Sequence, residues 1–379
     1  MSPSRAVLLL PIVLACFHEA GGRAPAPRHV GPVERPLPVG AIARLGSTRL
    51  RHDSEVRAVT FSPDGRKIAS VDSDQKARIW DALTGRMLNE FDTPEIFSHG
   101  FDDEADHTFV FTPDGKKLAA GVGADICFWD VQSGQEVRRF HGEGEGIRAL
   151  TVSSDSKTFY CGGDDNKLHQ WDIATGKHIR SWDYFGAEQP KRYANGRPHK
   201  KAVLAAVSPD GKSAVWHVLP VREHNTLERR EDGPLVVWNV ATRKEQWRLK
   251  GKEGKDFRGP RVAFSREGAY LTAYDEYSPL TVWHAASGKV FEKLGDKSAT
   301  SWVAYSPDSR RVAVLNHAEG QGLRMWDLAS GKELWKREQS LCMSGSGTSL
   351  TFAPDGKTLA LANRNNVLLW DQQFPVIAE

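Results

Sequence analysis

The feature that most constrains this chain is a short pattern that recurs seven times. Each copy has a tight turn of the Ser-Pro-Asp-Gly type, beginning at Ser62, Thr112, Ser153, Ser208, Ser265, Ser306 and Ala353. Each turn is followed by a tryptophan, at Trp80, Trp129, Trp171, Trp238, Trp283, Trp326 and Trp370. The tryptophan spacings are 49, 42, 67, 45, 43 and 44 residues. In the first unit Val56, Val59 and Phe61 nearly alternate, as in a half-buried strand. Ser62-Pro63-Asp64-Gly65 follows: proline presets the first central position of a type I turn, and glycine accepts the positive φ that closes a hairpin. Lys67–Ser70 and Ala77–Trp80 read as the second and third strands, Leu83-Thr84-Gly85 as a turn, and Met87–Phe91 as the fourth.

Self-similarity at a period in the forties with four short strands per unit predicts an all-β, seven-bladed β-propeller of four-stranded antiparallel blades. In six units the fourth strand ends 11 residues after the tryptophan, at Phe91, Phe140, Trp182, Leu249, Leu294 and the polar exception Arg337. In the seventh that position falls beyond residue 379. Ala41-Ile42-Ala43-Arg44-Leu45 reads like the other fourth strands, so an N-terminal strand is expected to close the ring and remove its exposed edges.

These residues resemble the WD-repeat family of β-propellers, particularly its bacterial type with turns like Trp-Asp-x-x-Thr-Gly-Lys. Asp81, Asp130, Asp172, Asp327 and Asp371 keep the aspartate after tryptophan, while Asn239 and His284 replace it in two units. The resemblance covers about residues 40–379. It implies an aspartate–histidine–serine–tryptophan network inside blades, matched in blade one by Asp74, His52, Ser70 and Trp80. Blade three keeps Asp165 and Trp171 but has Cys161 at the serine position and Glu143 at the histidine position. The tryptophans are read as structural, filling the space between blades.

Three regions follow: a signal peptide over 1–20, a proline-rich linker over 21–39, and the propeller over 40–379. Arg5 precedes an apolar run from Ala6 to Cys16, too short to span a bilayer and suited to a secretory signal. Val13-Leu14-Ala15-Cys16 resembles a lipoprotein cleavage box, which makes Cys16 the lipidation candidate and the N-terminus a candidate membrane tether. An exported, periplasmic or membrane-anchored protein is expected. The other cysteines, Cys127, Cys161 and Cys342, are odd in number and have no C-x-x-C spacing, which argues against a disulfide framework and a thiolate zinc site. The net charge of +3 and the lack of a basic stripe with interleaved aromatics argue against nucleic acid.

Function is read from where the repeats differ in length. The turns between strands one and two, and three and four, are nearly constant. The long differences fall in the blade-to-blade connections and in the turns between strands two and three, two sets that open on the same face. Residues 92–107 carry Asp102, Asp103, Glu104 and His107 with no Lys or Arg. Residues 183–201 carry Lys191, Arg192, Arg197 and Lys200 among Tyr184, Phe185 and Tyr193. Residues 218–233 carry Arg222, His224, Arg229 and Arg230. Together these are the candidate partner-binding face: aromatics mixed with arginine suit an interface hot spot.

The leading expectation is a monomeric, non-catalytic scaffold that presents this face to a peptide or protein partner. The acidic cluster lacks the ordered spacing and glycine of a calcium loop, so no metal is assigned. No catalytic residue and no cofactor is assigned either, because no channel-lining set of His, Asp or Glu repeats and no Ser/His/Asp order stands out. One alternative is a propeller enzyme with a metal or quinone in the channel, since Ser330–Trp335 resembles a quinoprotein repeat. A second is a self-associating envelope structural protein.

Overall fold

Each Ser-Pro-Asp-Gly turn is built by its own side chains. The Ser62 hydroxyl donates to Asp64 Oδ1 (2.6 Å) and accepts the Lys67 amide (2.9 Å), while Asp64 Oδ1 accepts the Arg66 amide (3.0 Å). The Gly65 amide reaches back to Ser62 O (2.8 Å), with Gly65 at φ 70°. Serine and aspartate two apart thus satisfy backbone donors that a hairpin tip leaves open. The turns at Thr112, Ser153, Ser208 and Ser306 repeat the hydroxyl–aspartate bond. The proline has a second role. A Cβ on Gly65 would lie 3.4 Å from Pro354, one on Gly115 3.6 Å from Pro63, and one on Gly356 3.5 Å from Pro307. Proline of one blade therefore packs on the turn glycine of the next.

The computed structural model describes residues 41–45, 52–94, 109–141, 147–153, 155, 157–163, 165–186, 189–195, 198–221, 232–249, 256–258, 260–275, 280–294, 300–316, 322–337 and 349–371. The chain divides into Met1–Arg35 and Pro36–Glu379, and the first unit lies outside the described residues. So do the expected signal segment, Cys16 and the linker over 21–39.

Seven four-stranded antiparallel sheets form the blades of a propeller. Blade one is Val56–Phe61, Lys67–Asp72, Lys76–Asp81 and Met87–Asp92. Blade seven takes Leu350–Phe352, Thr358–Asn363 and Asn366–Asp371 from the C-terminal end and Ala41–Leu45 from the N-terminal end. Ala41 pairs with Trp370 and Leu45 with Val367, so the ring closes as expected. The closing seam also holds Val56 N–H to Arg364 O (2.7 Å) and Val59 N–H to Ser349 Oγ (3.3 Å). Among the described residues there is no helix.

Seven apolar clusters account for the core, one in each gap between neighbouring blades. Ala58, Ala69 and Ile79 of blade one meet Phe109, Leu118 and Trp129 of blade two, and the last gap brings Trp80 against Ala353, Ala360 and Leu369. Six of the seven repeat tryptophans are at most 6% exposed, while Trp171 is half-buried and stacks on Phe159 at 6.2 Å. In five repeats the residue after the tryptophan caps the next turn with its side chain. Asp81 Oδ1 accepts both the amide and the hydroxyl of Thr84 at 2.7 Å, and Asn239 serves Thr242 in the same way. This is why asparagine replaces aspartate there without loss of the turn.

The blade-one network corrects one expectation: its carboxylate is Asp72, not Asp74. His52 Nδ1–H donates to Asp72 Oδ2 (2.7 Å), Ser70 O–H donates to His52 Nε2 (2.7 Å), and Trp80 Nε1–H donates to Ser70 Oγ (2.8 Å). Burial holds the His52 pKa below its ordinary value, and a neutral ring has the one donor and one acceptor this chain of bonds needs. Asp72 ends its strand with its side chain fully buried, whereas Asp74 lies at the exposed hairpin tip and donates its amide to Asp72 Oδ1 (3.0 Å). Arg78 is an added member. It is 4% exposed, donates Nε–H to Glu90 Oε2 (2.5 Å), and lies 3.9 Å from Asp72.

Candidate functional site

Blade four rises above the common plan at the end where the blade connections lie. Its first two strands, Lys200–Val207 and Ser213–Pro220, have eight residues each, against six in blade one. Lys200 pairs with Pro220, and the ladder continues through Val221 N–H to His199 O (2.9 Å). The preceding connection then folds back on itself. His199 N–H donates to Lys191 O (2.7 Å), Arg192 and Pro198 form an antiparallel bridge, and the Tyr193 and His199 rings stack at 3.9 Å and 26°. Lys191, Arg192 and Lys200 are exposed on this hairpin, and Tyr193 is half-buried.

The far side of the ridge joins two separate connections. Asp232–Gly233, from the turn between the second and third strands of blade four, pairs with Phe257–Arg258, from the connection to blade five. The two classes of variable segment therefore meet at one end of the ring. Gly233 makes the approach possible: a Cβ there would lie 2.3 Å from Val218 O and 3.2 Å from His217 Nε2. His217 is 5% exposed beneath this ribbon, and burial lowers its pKa to about 4. It is a neutral packing residue here.

Two residues offered by the sequence as partner contacts face inward instead. Tyr184 and Phe185 are half-buried, and the Tyr184 ring lies 5.3 Å from Trp216 and 5.7 Å from Trp238. Burial raises the Tyr184 pKa. Asp183 caps the same turn through the amides of Phe185 (2.9 Å) and Gly186 (3.2 Å), and its second oxygen accepts from Gln189 Nε2 (3.0 Å). These residues anchor the connection, which leaves Lys191, Arg192, Tyr193 and Lys200 as its outward group. Asp102, Asp103, Glu104, His107, Arg197, Arg222, His224, Arg229 and Arg230 lie outside the described residues.

The sequence reading missed a polar cluster in blade three. His178 Nε2–H donates to His169 Nδ1 (3.3 Å), and His169 Nε2–H donates to Asp165 Oδ2 (2.6 Å). His169 sits two residues before Trp171, on the same face of the strand, and supplies from within the sheet the partner that Asp165 needs. The legible signal was the i, i+4 spacing of Asp165 and His169. Among the described residues no group of three or more His, Cys, Asp or Glu is placed to hold a metal ion. Cys127 and Cys161 are buried free thiols; burial pushes the Cys127 pKa up to about 12 and that of Cys161 well above the ordinary thiol value. Neither is a nucleophile at neutral pH.

Comparison with known proteins shows what the chain is similar to. The model of the WD domain, G-beta repeat, matches residues 45–81 and 134–172. Telomerase protein component 1 of Mus musculus is 23% identical over 359 residues, a match covering 84% of this chain and 13% of the relative. The WD repeat-containing protein WDS homolog of Arabidopsis thaliana is 27% identical over 314 residues, covering 73% of this chain and 56% of the relative. The chain thus spans from about an eighth to just over half of these relatives' lengths. The solved RRP9 WD40 repeats superpose with a TM-score of 0.64 at 17% identity, covering 89% of this chain and 99% of that one. The chain is thus similar to WD-repeat proteins in two of its repeats, and its closed seven-bladed ring has the β-propeller fold of the solved WD40 repeats.

Proposed function

We propose that the protein is a non-catalytic scaffold that binds a peptide or protein partner on the face where its blade connections are longest. Propellers of this repeat family generally bind protein partners, which supports the general reading. The observation that carries the specific one is the ridge over blade four. There two strands extend to eight residues and two connections pair as a ribbon. A segment that is already ordered loses little freedom on binding, so contact energy is retained as affinity. Lys191, Arg192, Tyr193 and Lys200 are the contact residues of this reading on the described part of the face. Asp102, Asp103, Glu104, His107, Arg197, Arg222, His224, Arg229 and Arg230 extend it around the rim. Export and an N-terminal tether through Cys16 complete the proposal and rest on the sequence of residues 1–39.

The test is affinity capture with the full-length protein and with a variant in which 183–201 and 218–233 are shortened to tight turns. Partners identified by mass spectrometry should be retained by the first and lost by the second. Full retention by a folded variant would refute the assignment of this face.

A further inference from the structure

We propose that blade seven exchanges its fourth strand between copies of this chain: the edge of Asn366–Asp371, filled in cis by Ala41–Leu45, accepts the same segment from a second copy. This goes beyond the scaffold reading and stands without it. In blades one to six the fourth strand follows the third through a short turn, residues 82–86 in blade one. Blade seven differs. Its fourth strand comes from the other end of the chain and is joined to blade one through residues 46–55. It is the outermost strand of its sheet, and its ladder partner among the described residues is Asn366–Asp371 alone. The ladder runs from Ala41 opposite Trp370 to Leu45 opposite Val367, with a register shift between Ala41 and Ala43.

The seam beside it has fastenings of its own. Val56 N–H donates to Arg364 O (2.7 Å), Asn365 Nδ2–H to Asp53 O (3.1 Å) and Val59 N–H to Ser349 Oγ (3.3 Å). Val56, Val59 and Phe61 pack in the same gap as Ala353, Ala362 and Val367. None of these contacts involves residues 41–45. Withdrawal of the closing strand therefore leaves blade seven seated against blade one with three strands. It bares the backbone donors and acceptors along one side of residues 366–371, next to the buried Leu368, Leu369 and Trp370. A bared edge of this kind recruits a strand. The same segment of a second copy meets it in the register already used in cis, so exchange trades like contacts for like. The ten residues 46–55 reach at most about 33 Å, enough to cross from blade one of one ring to blade seven of a ring beside it. What opposes exchange is the tether, which gives the cis strand an effective concentration on the order of 1 mM. Exchange is therefore slight in dilute solution and grows as the protein is concentrated.

The experiment mixes two full-length variants, Ala43→Cys and Leu369→Cys, whose changed positions lie opposite each other in the ladder and within disulfide reach. They are incubated together with oxidised glutathione at about 0.5 mM and at about 5 µM, near and far below the effective concentration. Peptide mass spectrometry identifies the linked residues. The expected result is a 43–369 link between chains, at least about tenfold more abundant at the higher concentration. A single chain carrying both changes should form the link within itself. A Lys332→Cys chain, altered in an exposed turn of blade six, should not link to Leu369→Cys. Absence of the interchain link where the double variant links internally would overturn the proposal, and so would a double variant that forms no link. Leu369 is a core residue, so the unaltered chain supplies a second measurement. Refolded at high concentration it should contain a dimer by light scattering, reduced severalfold by excess synthetic segment 39–47 and not by a permuted one. A monomer at every concentration, or equal suppression by the permuted segment, also sinks the exchange.

Discussion

Replacing Asp72 by asparagine tests the blade-one network at its corrected member. Asp72 is fully buried and accepts His52 Nδ1–H at 2.7 Å, Lys76 N–H at 2.9 Å and Asp74 N–H at 3.0 Å. Asparagine keeps the volume and can still accept the two backbone amides. Its NH2 group then faces the His52 N–H, donor against donor. If His52 switches tautomer to relieve this, its Nε2–H points at Ser70 Oγ, which already takes the Trp80 N–H. Ser70 is then left with a buried hydroxyl that has lost its acceptor. One charge-assisted bond is lost either way, at about 1.5–3 kcal/mol. Arg78 also loses a neighbouring charge, so the total is about 2–4 kcal/mol. Asp74→Asn at the exposed tip should cost no more than about 0.5 kcal/mol. For a ring of this size the first change corresponds to roughly 3–6 °C in thermal midpoint. Thermal unfolding followed by tryptophan fluorescence measures both. The Asp72 carboxyl is held below its ordinary pKa of 3.8, its hydrogen bonds from His52 and the Lys76 amide outweighing the opposing effect of burial. Its contribution is therefore complete above that pH and is lost as pH falls through the folded value, so the gap between wild type and Asp72→Asn should narrow in strong acid. Equal midpoints for the two variants, or a larger drop for Asp74→Asn, would refute the assignment.

Acid should destabilise the ring in an earlier window as well. His217 has a pKa lowered by burial to about 4 against 6.5 in the unfolded chain, so stability is full above pH 6.5 and declines toward pH 4. The difference amounts to about 3 kcal/mol, and His217→Gln should flatten that part of a urea-midpoint profile. Gly288→Ala should cost about 2–4 kcal/mol in a thermal melt, because φ is +68° and the new Cβ would sit 2.5 Å from the Trp247 ring. Gly123→Ala, at φ +58° in open space, should cost only about 1–2 kcal/mol. Cys127 and Cys161 should resist alkylation at pH 7 and label fully only in denaturant, as peptide mass spectrometry would show; rapid native labelling of either would contradict their burial.

Much of the fold is legible from residue chemistry because its instructions are local. Ser62, Pro63, Asp64 and Gly65 build their hairpin from bonds within six residues, and Asp81 caps a turn three residues on. Repeated seven times, such units leave a closed ring as the arrangement that buries every apolar face, and the first strand-like segment, Ala41–Leu45, is the one available to complete it. What the sequence could not decide is which of two nearby groups turns inward. Asp72 and Asp74 are two residues apart, and only the end of the strand separates a buried carboxylate from an exposed one. Tyr184 and Phe185 read as contact residues until the gap beside Trp216 and Trp238 is seen to receive them. The pairing of Asp232–Gly233 with Phe257–Arg258 joins segments about 25 residues apart, and no local pattern encodes it. Short-range bonds therefore set the units and their number. The outward surface of the ridge was decided by long-range packing, which determines what is left over once the interior is filled.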